Sequence, residues 1–207
     1  MMNFRMLIAL TFALFFIACS TDADDEYVFE AAVVCPDNAR GTFVDERDGR
    51  EYKYTTIGNR KWMAQNLNFV ADSGSNCSYK ENDCADKGRT YGENVYESVC
   101  PKGWHIPNMD EWQELVQNMG GDTIVGARLK SIEGWERLDF SEIGPNGTDD
   151  CGFSVVPTLT SYSSNDGFSA VLWLDNKNAM HFQSNWNHIA KVSGEYSAFS
   201  VRCVEGR

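Results

Sequence analysis

CPKGWHIPNMDEWQELV, residues 100–116, packs two tryptophans, a histidine and three carboxylates into seventeen residues. Pro107 stops an extended run, and Asn108 can cap a helix with Glu111 three residues on, a relative of the capping box. Trp112, Leu115, Val116 and Met119 then fall at i, i+3, i+4 and i+7. That spacing makes one apolar face of an amphipathic helix ending at Gly120-Gly121. Asp110, Glu111 and Glu114 occupy its first turns, where carboxylates interact favourably with the helix dipole. His105, beside Trp104 and close to these carboxylates, has the chemistry of a general base. A catalytic site needs several roles filled in one geometry, and this stretch offers one candidate. We therefore read it as a strand entering a capped helix and assign no catalytic residue.

Towards the N-terminus, GTFVDE leads into Asp48-Gly49, a type I′ turn signal, and then into REYKYTTIG. Tyr52 and Tyr54 share one face of that second strand, while Glu51, Lys53 and Thr55 take the other. Lys61-Trp62-Met63 reads as a third short strand. Residues 66–92 form a polar loop region rich in Asn, Ser, Asp and Gly. After the amphipathic helix, a second short helix capped by Asp122 runs through Ile124, Val125, Arg128 and Leu129 towards Ile132. From Cys151 the chain reads as short strands: FSVVP, FSAVLWLD, AMHFQS and FSVRCVE. The last alternates Phe199, Val201 and Cys203 inward with Ser200, Arg202 and Val204 outward. No internal repeat is present.

The 207 residues are 43% hydrophobic, enough for one sizeable core or at most two small ones, and carry a formal net charge of -12. That balance repels the phosphates of nucleic acids, and no basic patch offsets it, so no nucleic-acid partner is expected. The chain opens MMNFRMLIALTFALFFIAC. Arg5 precedes an apolar run from Met6 to Ile17, short for a membrane span and suited to the h-region of an export signal. Phe16-Ile17-Ala18-Cys19 resembles a bacterial lipobox, which implies lipid on Cys19 after cleavage before it. The acidic STDADDE that follows is too polar to fold and reads as a tether. The expected plan is a lipoprotein signal peptide over 1–18, an acidic flexible tether over 19–34, and one domain over 35–207. The expected address is the bacterial envelope, at the outer membrane or cell surface, held by acyl chains.

Seven cysteines are present. With lipid on Cys19, six remain: Cys35, Cys77, Cys84, Cys100, Cys151 and Cys203. An even number in an exported chain points to disulfides, and six cysteines allow fifteen pairings. Cys77 and Cys84 flank the polar loop SYKEND, which predicts a local clip. The residues alone leave the other four unpaired. Zinc is disfavoured, because there is no CxxC pair and no His at ligand spacing from a Cys.

No GxSxG, HExxH, Walker or GxGxxG signature stands in a supporting context. His181 and His188 are seven apart and match no metal or triad spacing. Calcium is the one cofactor with ligand types to offer, at Asn146-Gly147-Thr148-Asp149-Asp150 and Asp175-Asn176. Asn and Asp beside Gly are more often turns, and no EPN, QPD or WND triplet occurs, so no cofactor is assigned. Trp62, Trp104 and Trp112 read as core. Trp135, Tyr162, Trp173 and Trp186 lie in looser contexts and are the candidates to stack on sugar rings or anchor a protein partner.

DERDGREYKYTTIGNRKWMAQNLNF, GRTYG, CPKGWHIPNMDEWQELV, GTDDCGFSVVP and FSVRCVE occur in this order. Together they resemble the Fibrobacter succinogenes major paralogous domain, a family of exported bacterial domains, over about Gly41 to Glu205. GWHIPNMDEW also resembles the core shared by formylglycine-generating-enzyme-like and C-type-lectin-like domains. The resemblance implies an α+β, C-type-lectin-like fold of short twisted antiparallel strands with two helices, stabilised by disulfides. It implies a Cys100–Cys203 bridge, which leaves Cys35 with Cys151. The region from Thr158 to Phe168 is shorter here than in the family, which brings no established activity with it. An enzyme of the formylglycine-generating type would need a reactive cysteine pair near the chain end, where only Cys203 stands. We expect Cys203 to be oxidised and unavailable as a thiolate. The expected function is non-catalytic binding or adhesion to a polysaccharide or envelope protein. A cysteine- or metal-dependent enzyme on the same fold and a purely structural envelope component are the alternatives.

Overall fold

The computed structural model describes residues 28–77, 83–138, 141–158, 167–195 and 197–206. The expected signal peptide, Cys19, the start of the tether and Tyr162 lie outside them. In chain order the elements are α1 (Ala31–Val34), β1 (Arg40–Asp45), β2 (Arg50–Ile57), β3 (Arg60–Met63), β4 (Ser75–Asn76), α2 (Asp83–Lys87), β5 (Thr90–Gly92) and β6 (Trp104–His105). The helices α3 (Met109–Asn118) and α4 (Val125–Leu129) follow. Then come β7 (Ser169–Trp173), β8 (Asn178–Gln183), β9 (Ala190–Ser193), β10 (Ala198–Ser200) and β11 (Val204–Glu205). The class is α+β, mostly sheet.

One sheet has the order β1-β2-β3-β11-β6, and the other β4-β5-β10-β7-β8-β9. Two apolar clusters lie on opposite faces of the shared strands. Ile57, Trp62 and Val204 face the first cluster, with α3 and α4, while Tyr52, Met63 and Cys203 face the second. Side chains alternate along a strand, so β7 sends Ala170 and Leu172 into the first cluster and Val171 and Trp173 into the second.

The same geometry corrects the reading of FSVRCVE. All six residues from Phe199 to Val204 are buried. β10 belongs to one sheet and β11 to the other, so the segment passes between the two clusters and has no outward face. Ser200, Arg202 and Val204 therefore meet protein rather than water.

α3 forms as its local signals require. The Asn108 side chain accepts from the Glu111 backbone N–H at 2.9 Å, and the Glu111 carboxylate accepts from the Asn108 N–H at 3.0 Å. Trp112, Leu115, Val116 and Met119 are all buried, each contributing about 2 kcal/mol relative to an exposed position. Trp112 packs edge-on against Trp62, with ring centroids 5.8 Å apart. α4 is a single turn preceded by Ile124, with no side-chain cap; Asp122 does not cap it.

The hairpin turn also differs from expectation. Asp45 pairs with Arg50, which leaves the four residues 46–49 in the connection rather than two. Asp45 is the reason. Its buried carboxylate takes the Arg47 backbone N–H at 3.1 Å and the Arg47 guanidinium at 2.6 Å. Its carbonyl accepts from Gly49 at 2.8 Å, and Gly49 closes the turn at φ 72°.

Three disulfides cross-link the domain: Cys35–Cys151, Cys77–Cys84 and Cys100–Cys203. The first ties the segment after α1 to the middle of the chain, and the third ties the entry to β6 to the crossing segment.

Lys130, just after α4, is 1% exposed. Its ammonium donates to the carbonyls of Pro145, Gln183 and Ser184 at 3.0, 3.2 and 2.8 Å. Burial pushes its pKa down to about 8. Between that value and the ordinary 10.5 the unfolded chain holds more protons than the folded one, so this group makes stability rise with pH. Lys130→Met should flatten that rise, by up to about 3 kcal/mol. Denaturant titrations of both proteins at pH 8 and pH 10 measure it.

Candidate functional site

The outer face of the β1–β2 hairpin forms one wall of a cleft of about 820 Å³. In the antiparallel register Arg40 lies opposite Thr55, Thr42 opposite Lys53, and Val44 opposite Glu51. Alternation therefore puts Arg40, Thr42, Glu51 and Lys53 on one face and sends Phe43 and Tyr52 to the core. The facing wall is the segment through Gly152, Ser154 and Val156, and the end is closed by residues 64–68 and 84–88.

Arg202 sits on the floor and joins these walls. Its Nε donates to Asn66 Oδ1 at 2.8 Å and its Nη2 to the Ser154 carbonyl at 2.7 Å. Nη1 donates to the Phe153 carbonyl, and the guanidinium lies 4.8 Å from the Phe153 ring centre. Burial works against the charge of Arg202, and Asp149 works for it; a guanidinium stays protonated under such conditions. Burial raises the Asp149 pKa, opposed by hydrogen bonds from Ser154 and by the charges of Arg202 and Arg40.

The facing wall is held in an uncommon backbone. Asp149 and Ser154 have φ values of 48° and 53°, a left-handed conformation costly for residues other than glycine. Their side chains and neighbours hold it. The Ser154 N–H donates to Asp149 Oδ1 at 2.7 Å, and its hydroxyl donates to Oδ2. Thr55 Oγ1 donates to the Cys151 carbonyl at 2.6 Å. At the end of the cleft, Asn66 donates to the Lys87 carbonyl at 2.8 Å and Asn68 to that of Cys84. The Cys77–Cys84 clip is thereby fastened to the domain. The cleft is a polar site built from five separate parts of the chain, with its hydrogen bonds already in place.

His105 occupies a different place, beside a smaller cleft of about 370 Å³. Its Nε2 lies 2.9 and 3.0 Å from the two oxygens of Glu111, which also takes Arg60 Nη1 at 3.1 Å. Its Nδ1 is buried without a hydrogen-bond partner. A buried, unpartnered N–H is costly, so the proton belongs on Nε2, where Glu111 accepts it. Neither ring nitrogen is left open to a substrate, and Glu111 completes a helix cap instead. Glu111→Ala would strip the acceptor from three donors and is expected to cost about 3 kcal/mol. Asn108→Ala removes only the cap and should cost about 1 kcal/mol. Chemical unfolding of the two variants compares them.

The family model of the Fibrobacter succinogenes major domain matches residues 55–205. The chain belongs to that family. No curated protein and no solved structure matches it. In this Fibrobacter succinogenes major domain protein, β1 and the first part of β2 lie before the matched residues.

Among the described residues, the aromatic candidates of this family member, Trp135, Trp173 and Trp186, do not form a shared surface. Trp173 is fully buried, stacks on Tyr96 at 4.1 Å and donates to the Tyr91 carbonyl at 2.6 Å. Gly194 allows it, since a Cβ there would collide with the Trp173 ring. Trp135 is buried with its indole N–H on Ser131 Oγ and the Val155 carbonyl. Both are named above as candidates for stacking, and both are core, because β7 is covered on two faces and the strandless run after α4 folds inward. Trp186 is half-buried between His181 and His188. Trp104, read as core, is half-buried and stacks on Phe43 at 4.2 Å. That contact joins the two edge strands of one sheet and shows how far the sheet curls.

The oxygen-rich segments are engaged internally. Asn146 Oδ1 accepts from the Trp135 N–H at 3.2 Å, Asp149 binds Ser154, and Asp150 pairs with Arg128 at 3.4 Å. Among the described residues, no group of three or more His, Cys, Asp or Glu is placed to hold a metal ion. The cleft itself escaped the sequence. Arg202 reads there as one more outward residue of a strand, and no local pattern marks it as buried.

Proposed function

We propose that this family member is a lipid-anchored, non-catalytic binding module of the bacterial envelope, C-type-lectin-like in architecture, with its ligand seated in the hairpin cleft. The observation that carries the reading is the cleft's preorganisation. Its floor and two walls are fixed by the Arg202, Asn66, Asn68 and Asp149 bonds, so a ligand meets set donors and acceptors without ordering the chain first. The lining is polar and lacks the deep apolar pocket that anchors most protein partners, which favours a hydroxyl-rich chain such as a polysaccharide. A thiolate mechanism would need a free cysteine, and six of the seven cysteines are in disulfides.

Two measurements test this. Expressed in a bacterium with the full leader, the wild type should partition with membranes, whereas Cys19→Ala should not be acylated. Equal acylation of both proteins would rule out the anchor. Pull-down of the purified protein on immobilised polysaccharides should retain it on at least one polymer, and retention on none would count against the binding reading.

A further inference from the structure

The cleft runs against the charge of the molecule. On a chain of net charge -12, its lining carries Arg40, Arg50, Lys53 and Arg202 against the carboxylates of Glu51 and Asp86. Arg202 is sealed in the floor, so the three others supply the accessible charge. Arg40 has Asp37 at 3.8 Å and Arg50 has Asp48 at 3.9 Å. Both are long, exposed pairs, and such pairs bind weakly. Among the described residues, Lys53 carries no ion pair. Arg40 and Lys53 share the hairpin face as a diagonal pair, about 7–8 Å apart at the backbone. Gln65 fixes itself beside them by accepting the Lys53 backbone N–H on Oε1 at 2.8 Å. That bond occupies the amide oxygen and leaves the amide NH2, a donor for hydroxyl groups, on the same wall.

We infer that the cleft binds an acidic polysaccharide, one whose sugars bear carboxylate or sulfate groups. The inference rests on the reading of the cleft as the ligand site and names its ligand class. Cations spaced along one wall meet the charges of successive sugars, while Gln65 and Thr42 meet their hydroxyls. The acidic remainder of the surface repels such a polymer everywhere else, so binding is confined to the cleft. Glu51 and Asp86 flank the cations and restrict the number of charges a bound chain presents.

The test measures binding of the intact purified protein to polygalacturonate, dextran sulfate, uncharged glucomannan and polyglutamate. Binding to one or both acidic polysaccharides is expected, strongest in low salt and largely lost near 1 M salt, where the screening length is about 3 Å. Lys53→Glu should weaken it about tenfold or more, the order expected for reversing one contact charge. Lys191→Glu, the same change on exposed β9, should leave it unaltered. The two acidic polymers separate carboxylate from sulfate recognition. Preference for glucomannan, with Lys53→Glu without effect, would overturn the acidic class while leaving the cleft as a binding site. Equal binding of polyglutamate would overturn the sugar. Failure of all four polymers would overturn both readings.

Discussion

An Arg202→Ala protein is expected to unfold with about 4 kcal/mol less free energy than the wild type, a fall of ~10 °C in Tm. The substitution leaves a void in a packed floor and strips donors from Asn66 Oδ1 and the Phe153 and Ser154 carbonyls. It also removes the charge that opposes the burial of Asp149. The last effect gives the prediction a pH signature. The Asp149 pKa is raised above its ordinary value, so the folded state holds that proton more tightly than the unfolded chain. The resulting cost is absent below the ordinary carboxylate range and grows as pH rises through the folded value. Without Arg202 that cost increases, so the deficit should be larger at pH 7 than at pH 4. Arg202→Ala combined with Asp149→Asn should recover part of it, and a double-mutant cycle reads the coupling. Additive losses with no pH dependence would show that Arg202 acts through packing alone.

Loss of the Cys100–Cys203 bridge has the second large effect. It closes a sequence separation of 103, whereas Cys77–Cys84 closes one of 7. Chain entropy makes the long loop worth about 5 kcal/mol and the short one about 2 kcal/mol. Cys100→Ala/Cys203→Ala should therefore approach unfolding at physiological temperature. Cys77→Ala/Cys84→Ala should stay folded, with faster amide exchange confined near residues 84–88, where Asn66 and Asn68 hold the cleft's end. Equal losses from the two double substitutions would contradict this ranking. The strong dependence arises because the elements are short, and β6 and β11 have only two residues each.

What was legible in the sequence was what local chemistry specifies. The α3 helix reads correctly because its cap, its apolar period and its glycine stop are all within a few residues of one another. The turn after β1 reads wrongly because a buried carboxylate, Asp45, draws Arg47 and Gly49 around itself. Periodicity sees Asp48-Gly49 and cannot see that burial. Phe199 to Val204 alternates as a surface strand would, yet both of its faces are covered by clusters assembled from distant residues. Trp135 and Trp173 fail as surface candidates for the same reason. The cleft needs the β1–β2 register, the strained segment from Asp149 to Ser154, the end loop and Arg202 at once. No window of sequence contains them together. Only the polar types of its residues were visible beforehand.

The most direct test of the cleft as the ligand site is an amide chemical-shift titration of the isotope-labelled protein with polygalacturonate fragments. The expected result is a set of shifts concentrated on Thr42, Lys53, Gln65, Gly152 and Ser154, with His105 and Trp186 undisturbed. Shifts centred on His105 or Trp186, with the hairpin silent, would contradict it.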